Sequence, residues 1–209
     1  MTRTTTAASP DGLRARNRTA KWLTEVFQPP VVVTLQLLIS PVIEAGFPGT
    51  IVYGALAALF VCVLPLFVLL GLVRLGKVTD HHVSNRHQRA PVLLMALASV
   101  IAGLVVLEAL GAPRSVVLMV LAIVAGIVVL AVVSPFWKIS GHAAAVSSAA
   151  TITVLMLGPA WLPLLMLIPA VGWSRVVLRA HTRAQVVAGS LFGTLVMAGL
   201  WWLLRGWLL

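Results

Sequence analysis

Apolar residues run through this chain in long stretches, at 30–47, 50–76, 91–111, 114–134 and 186–205. A further stretch, 142–173, is apolar throughout but is interrupted by Gly158-Pro159 and Pro163. The break most simply divides it into helices over 142–158 and 160–173 joined by a tight turn. A helix that spans bilayer hydrocarbon needs roughly 20 predominantly apolar residues. The pattern therefore predicts an all-α fold, a polytopic transmembrane helix bundle with six or seven spans. The first run contains Pro41 and Glu44, so its crossing decides between the two counts.

Residues 1–29 have a different character from the transmembrane domain expected over 30–209. Thr, Ala and Arg dominate residues 1–21, with Arg3, Arg14, Arg16, Arg18 and Lys21 against Asp11. This composition predicts a disordered basic tail at a membrane surface. Trp22 to Gln28 predicts a short interfacial helix ended by Pro29-Pro30. No compact apolar core followed by a small-residue cleavage site occurs early, so a cleaved signal peptide is not expected.

Polar residues collect in three islands, 77–90, 134–142 and 174–185. Two spans separate the first from the second, and two separate the second from the third. An even number of crossings returns the chain to the same face, so all three islands are expected at one membrane surface.

Composition strengthens the membrane reading and narrows the partners. Sixty per cent of the residues are hydrophobic and only 10% are charged, against about 45–50% and about 25% in soluble domains. The formal net charge of +10 lies in short segments between apolar runs. It lacks the basic helix or aromatic-interleaved patch of nucleic-acid readers, which points to anionic lipid headgroups or a phosphorylated substrate and away from nucleic acid. An integral protein of the bacterial cytoplasmic membrane is expected. The single Cys62 lies in an apolar run and reads as a packing residue. Ser147, Ser148 and Thr151 read as small residues for close helix contact. The tryptophans at 161, 201, 202 and 207 read as interface anchors. Glu44 and Glu108 fall near run ends, opposite the islands, and read as interfacial.

The islands carry the candidate chemistry. The first reads Asp80-His81-His82-Val83-Ser84-Asn85-Arg86-His87-Gln88-Arg89-Ala90-Pro91, the second Trp137-Lys138-Ile139-Ser140-Gly141-His142, and the third Ser174-Arg175 through His181 to Gln185. Histidines on separate islands, accompanied by Arg or by a Ser-Gly helix start, suggest a phosphate site. Guanidinium groups bind phosphate oxygens in fork geometry. Ser140 is placed to cap a helix whose first N–H groups face an anion. A neutral His can attack phosphorus while a second, protonated His gives its proton to the leaving oxygen. Arg179 and Arg183 read as contacts to lipid phosphates or as topology determinants.

Ser174-Arg175 followed by five residues and His181, together with Ser140-Gly141-His142 opening a helix, resembles the second and third signatures of the type 2 phosphatidic acid phosphatase superfamily. The resemblance covers roughly residues 80–195. It implies a metal-independent phosphatase, without cofactor, acting on a lipid-linked phosphate or diphosphate of the isoprenoid phosphate or phosphatidic acid type. It implies His181 as the nucleophile that becomes phosphohistidine and His142 as the acid for the leaving alkoxide. Arg175, Ser140 and the Gly141 amide match its phosphate-binding groups, and Arg89, Arg86 and His82 are the first-island candidates. The family's first signature is Lys, six residues, Arg-Pro; here His82 stands at the Lys position and Ala90 precedes Pro91. Ile139 replaces a Pro. Gln185 stands where the family carries an Asp that orients the nucleophile, and Asp80 is an alternative source of that charge. These departures leave open a catalytically impaired relative that binds headgroups or supports a membrane complex. A transferase that passes phosphate to an acceptor other than water also stays open. Positive residues in the tail and islands favour the cytoplasmic face for the site.

Overall fold

The computed structural model describes residues 10–79, 86–133 and 136–208. Among these every regular element is helical. We label them α1 (Pro10–Val26), α2 (Pro29–Ile39, prolonged by a 3-10 turn to Ile43), α3 (Ile51–Arg74), α4 (Arg86–Ala109), α5 (Arg114–Val133), α6 (Gly141–Leu157), α7 (Pro159–Val177, whose first half is 3-10) and α8 (Arg183–Gly206). Four of them, α3, α5, α7 and α8, are long and apolar enough to cross a membrane. Gly12–Val26 and Pro29–Ile43, bent by 45° at their junction, make a fifth if taken as one span. Leu94–Ala109 and Gly141–Leu157 are shorter apolar helices. The expectation of six or seven spans thus reduces, by length and composition, to four or five.

The helices begin and end where backbone chemistry requires. Pro29 and Pro30 occupy the first positions of α2, where a missing N–H has no intrahelical partner to lose. Gly158, at φ +90°, makes the turn between α6 and α7. α4 starts at Arg86, five residues ahead of the apolar run, so Pro91 lies inside it. Many large apolar side chains face outward, among them Phe67, Leu94, Val132, Met166 and Leu203. Water is a poor solvent for such a surface, which suits a lipid environment.

α1 corrects the reading of the N-terminal segment. Residues 10–21 are helical, and the predicted interfacial helix is only the last part of α1. Arg, Ala, Leu and Lys are strong helix formers, and one face of α1 finds a partner. Ala20 is fully buried, and Thr24, one turn on, shares a hydrogen bond with Ser174 of α7 at 3.1 Å. Composition signalled charge but not this docking.

α2 runs beside α6 in the same direction. Val32 packs with Val146 and Val171, and Gln36 accepts a hydrogen bond from Thr153 at 3.1 Å. Beyond the helix, the Glu44 carboxylate accepts the Ser115 N–H in the first turn of α5 at 2.9 Å. The segment from Pro29 to Glu44 therefore connects one end of the bundle, where α6 starts, to the other, where α5 starts. α5 forms the centre of the main core with Leu37, Leu107 and Trp201. Trp201, expected at an interface, is only 1% exposed, whereas its neighbour Trp202 is 53% exposed. Adjacent residues on a helix diverge by about 100°, so one ring faces α5 and the other faces outward.

Candidate active site

The end of α7 presents Ser174 and Arg175 and then reverses sharply. Arg179 takes a left-handed conformation, φ +53°, in the position after a helix that more often holds Gly. The Arg175 carbonyl then accepts the N–H groups of Ala180 at 3.1 Å and His181 at 3.3 Å. This turn draws His181 back beside the helix that carries Arg175.

Two residues later α8 starts with a capping box. The Thr182 hydroxyl accepts the Gln185 N–H at 3.3 Å, and the Gln185 side-chain oxygen accepts the Thr182 N–H at 3.1 Å. That second bond assigns the Gln185 amide, because only its oxygen can accept. The same oxygen lies 3.3 Å from His181 Nδ1, so Nδ1 carries the proton as donor. In a neutral ring, Nε2 then holds the lone pair.

The second island joins the third through the backbone. The Ser140 N–H donates to the Gln185 carbonyl at 3.2 Å. Ser140 is fully buried and caps α6 by accepting the Ala143 N–H at 3.4 Å. His142 follows in the first turn of α6 and is half-buried. The approach of α8 depends on small residues. A Cβ on Gly189 would lie 2.5 Å from the Ser140 carbonyl oxygen, and one on Gly193 would strike the Ala144 carbonyl and the Ser147 hydroxyl. Gly189 and Gly193 thus form a Gly-x-x-x-Gly contact that sets α6 and α8 at close range. Around Gly141 the space is open.

Electrostatics favour a neutral His181. Burial and the nearby Arg175 guanidinium push its pKa below the usual 6.5, aided by the Lys138 ammonium. Hydrogen bonds to Gln185 and to the Lys138 backbone oppose them without reversing the direction. Arg175 is itself partly buried. Its Nη1 donates one long bond, 3.4 Å, to Thr24, and its buried Nε–H has no partner. An unpaired buried guanidinium N–H is costly, and a phosphate oxygen would satisfy it.

An apolar cavity of about 390 Å³ begins at Gly141 and extends past Ala145 and Ser148 to Ile152, between α2, α3, α4, α5 and α6. Eleven residues of α6 rise about 16 Å. Cys62 and Gln36 are also in its wall.

The structure therefore brings together His181, Gln185, Arg175, Lys138 and Ser140, with Gly141 and His142 continuing from Ser140. Arg86 and Arg89 lie in the first turns of α4, nearly two turns and one turn before Val92 in the cavity wall, and their side chains are outside the described residues. Asp80 and His82 lie wholly outside them. Among the described residues no three His, Cys, Asp or Glu side chains group as metal ligands. Sequence reading missed three contributors. The Thr182-x-x-Gln185 capping box and Gly189-x-x-x-Gly193 were both visible as local patterns. Thr24 carried no local signal, since its role comes from the docking of α1.

Comparison with family models, curated proteins and solved structures gives no match.

Proposed function

We propose that this chain is a metal-independent phosphatase of the type 2 phosphatidic acid phosphatase kind, spanning the bacterial cytoplasmic membrane seven times and cleaving a lipid-linked phosphate or diphosphate. The observation that carries the reading is His181, with Nδ1 tied to Gln185, beside a guanidinium that has a buried, unpartnered N–H. Seven crossings are supported by the path of Pro29–Glu44 from one end of the bundle to the other. In that arrangement α4 and α6 cross despite their shorter apolar lengths.

In the proposed reaction His181 Nε2 attacks phosphorus as the bond from phosphorus to the lipid oxygen breaks. Protonated His142 gives its proton to the departing alkoxide. Arg175 and the first N–H groups of α6 at Gly141 hold the equatorial oxygens, where charge accumulates, and the resemblance assigns Arg86 and Arg89 of the first island to the same phosphate. Water, deprotonated by His142, then attacks the phosphohistidine and releases inorganic phosphate, restoring both histidines. The hydrocarbon tail occupies the cavity that starts at Gly141. Its size falls in the range of about 300–1,000 Å³ typical of ligand sites. Isoprenoid phosphates and phosphatidic acid both meet these demands. The positive residues around α1 and the islands favour the cytoplasmic face.

The test is a panel of lipid phosphates given to purified protein in detergent. Phosphate release that survives chelator, stops with vanadate and vanishes in His181→Ala is the expected result. Chelator-sensitive release, or full activity in His181→Ala, rejects it. Gln185 favours one other reading, because its side-chain oxygen already caps α8 and it brings no charge to His181. Headgroup binding without phosphate release from any panel member would identify a non-catalytic relative.

A further inference from the structure

The docking of α1 creates a second basic feature. α1 and α7 run antiparallel where they meet, since Thr24 lies at Ser174 and Arg175 while the residues one and two turns earlier lie at the end of α7. Between them is an open cleft of about 470 Å³ lined by Arg16, Arg18, Lys21 and Arg179, with Val177 and Leu178 as its apolar part. Among the described residues no carboxylate lines it. Among the described residues Glu25, 4.0 Å from Lys21, is the acidic group that touches its cations, and that pair is well exposed. Arg179 enters the cleft from the left-handed turn, a conformation that disfavours every residue with a Cβ.

We propose that this cleft binds the phosphate of an anionic phospholipid headgroup. Four cations with little internal compensation attract a phosphate diester, and guanidinium groups grip its oxygens directionally. The location selects a lipid over a soluble anion. The cleft lies at the end of a helix long and apolar enough to cross a membrane. Trp22, beside Lys21, is 59% exposed, as expected of a ring at headgroup depth. Basic pockets between helices at a membrane surface are the usual form of such sites. The proposal rests on the membrane reading and is independent of phosphatase activity.

The test equilibrates full-length protein in neutral detergent with equal amounts of phosphatidylglycerol and phosphatidylcholine, then re-isolates it and quantifies bound lipid. Wild type should enrich phosphatidylglycerol on the order of tenfold. The variant Arg16→Gln/Lys21→Gln/Arg179→Gly should bind both lipids equally. Arg179→Gly alone should lose several-fold of the enrichment, and since Gly suits the left-handed turn, misfolding does not explain that loss. Arg16→Lys should retain most of it. His181→Ala should enrich as wild type does, and a wild type that selects phosphatidylglycerol but releases phosphate from no lipid of the panel sinks the phosphatase reading alone. Equal retention by wild type, or undiminished enrichment in the triple variant, overturns the proposal. Displacement of the lipid by an equal concentration of inorganic phosphate would also overturn it in favour of a free-anion site.

Discussion

α3 and α8 are each 24 residues long, apolar, and interrupted midway by a π turn, at Leu59–Val63 and Phe192–Met197. Hydropathy cannot tell them apart, yet they serve different ends. From Leu59 to Arg74, α3 buries no residue, and its inner side is one wall of the cavity. The π turn frees the Phe60 carbonyl to accept the Ser99 hydroxyl at 2.7 Å, a polar tie between α3 and α4. α8 instead buries Val186, Gly189, Phe192, Gly193, Met197 and Trp201, and its glycines meet the backbone of α6. Glycine placement accounts for the difference in the second half of α3: Gly54, in its first half, meets the Leu37 backbone of α2, whereas Gly71 meets nothing. On α8 the close packing lies beside His181, Gln185 and Ser140, and on α3 the loosely packed half lines the cavity.

The sharpest way to break this comparison is Gly193→Leu. Its side chain has no room beside the Ala144 carbonyl and Ser147, so α8 must move away from α6. Overpacking of this kind costs about 1–3 kcal/mol and occasionally more, and the displaced site should lose at least on the order of a hundredfold in phosphate release, since small misplacements have that effect. Gly189→Ala, which pushes on the Ser140 carbonyl, should give the milder form of both losses. Thermal unfolding in detergent and phosphate release measure them. Wild-type melting and turnover in Gly193→Leu would show that the α6–α8 contact does not hold the site.

Next in size are the charges around His181. Arg175→Gln removes a guanidinium from the developing phosphoryl charge and should lower kcat about 10²–10³-fold. It should also move the acid limb of the pH–rate profile upward, because a like-charged neighbour that depresses His181 is gone. Gln185→Glu keeps the cap and adds a carboxylate beside Nδ1, so it should raise that limb further and favour the imidazolium. The same depression has a stability consequence. Above pH 6.5 His181 is neutral in both folded and unfolded chains. As pH falls from 6.5 through the depressed value, the unfolded chain takes up the proton first and stability declines. Arg175→Gln should make that decline shallower, as a melting series from pH 7 to 5 would register.

The helical class and the approximate position of each long helix were legible because apolar periodicity and length report burial in lipid or protein directly. Gly158-Pro159 marked a true turn, and Pro29-Pro30, read as the stop of the preceding helix, also opens α2. The candidate residues on the second and third islands were legible as types at spacings, and Ser140 and His181 do meet across the Gln185 contacts. Other features depended on tertiary contact. Residues 10–21 are polar enough to read as a tail, and only the buried Ala20 and the Thr24–Ser174 bond show why the segment is a docked helix. Trp201 and Trp202 are identical in type and adjacent, so only the neighbouring α5 assigns one to the core. Gln185 looked like a defective orienter, whereas its bond to Thr182 gives it a structural duty as well.

Two further glycines set the lower bound on what substitution should do. No atom lies within 4 Å of a Cβ built on Gly141 or on Gly71, so neither methyl clashes within the protein. Gly141 is at the mouth of the cavity and at the first turn of α6. Gly141→Ala should therefore leave melting nearly unchanged yet raise KM several-fold, because the methyl meets substrate. Gly71, on the cavity-side partner α3, has no such role. Gly71→Ala should stabilise the helix by about 0.5–1 kcal/mol through reduced backbone freedom in the unfolded chain, with phosphate release unaltered. A loss of activity in Gly71→Ala comparable to that in Gly141→Ala would mean that α3 is more than a loosely packed wall, and the contrast between α3 and α8 would have to be redrawn.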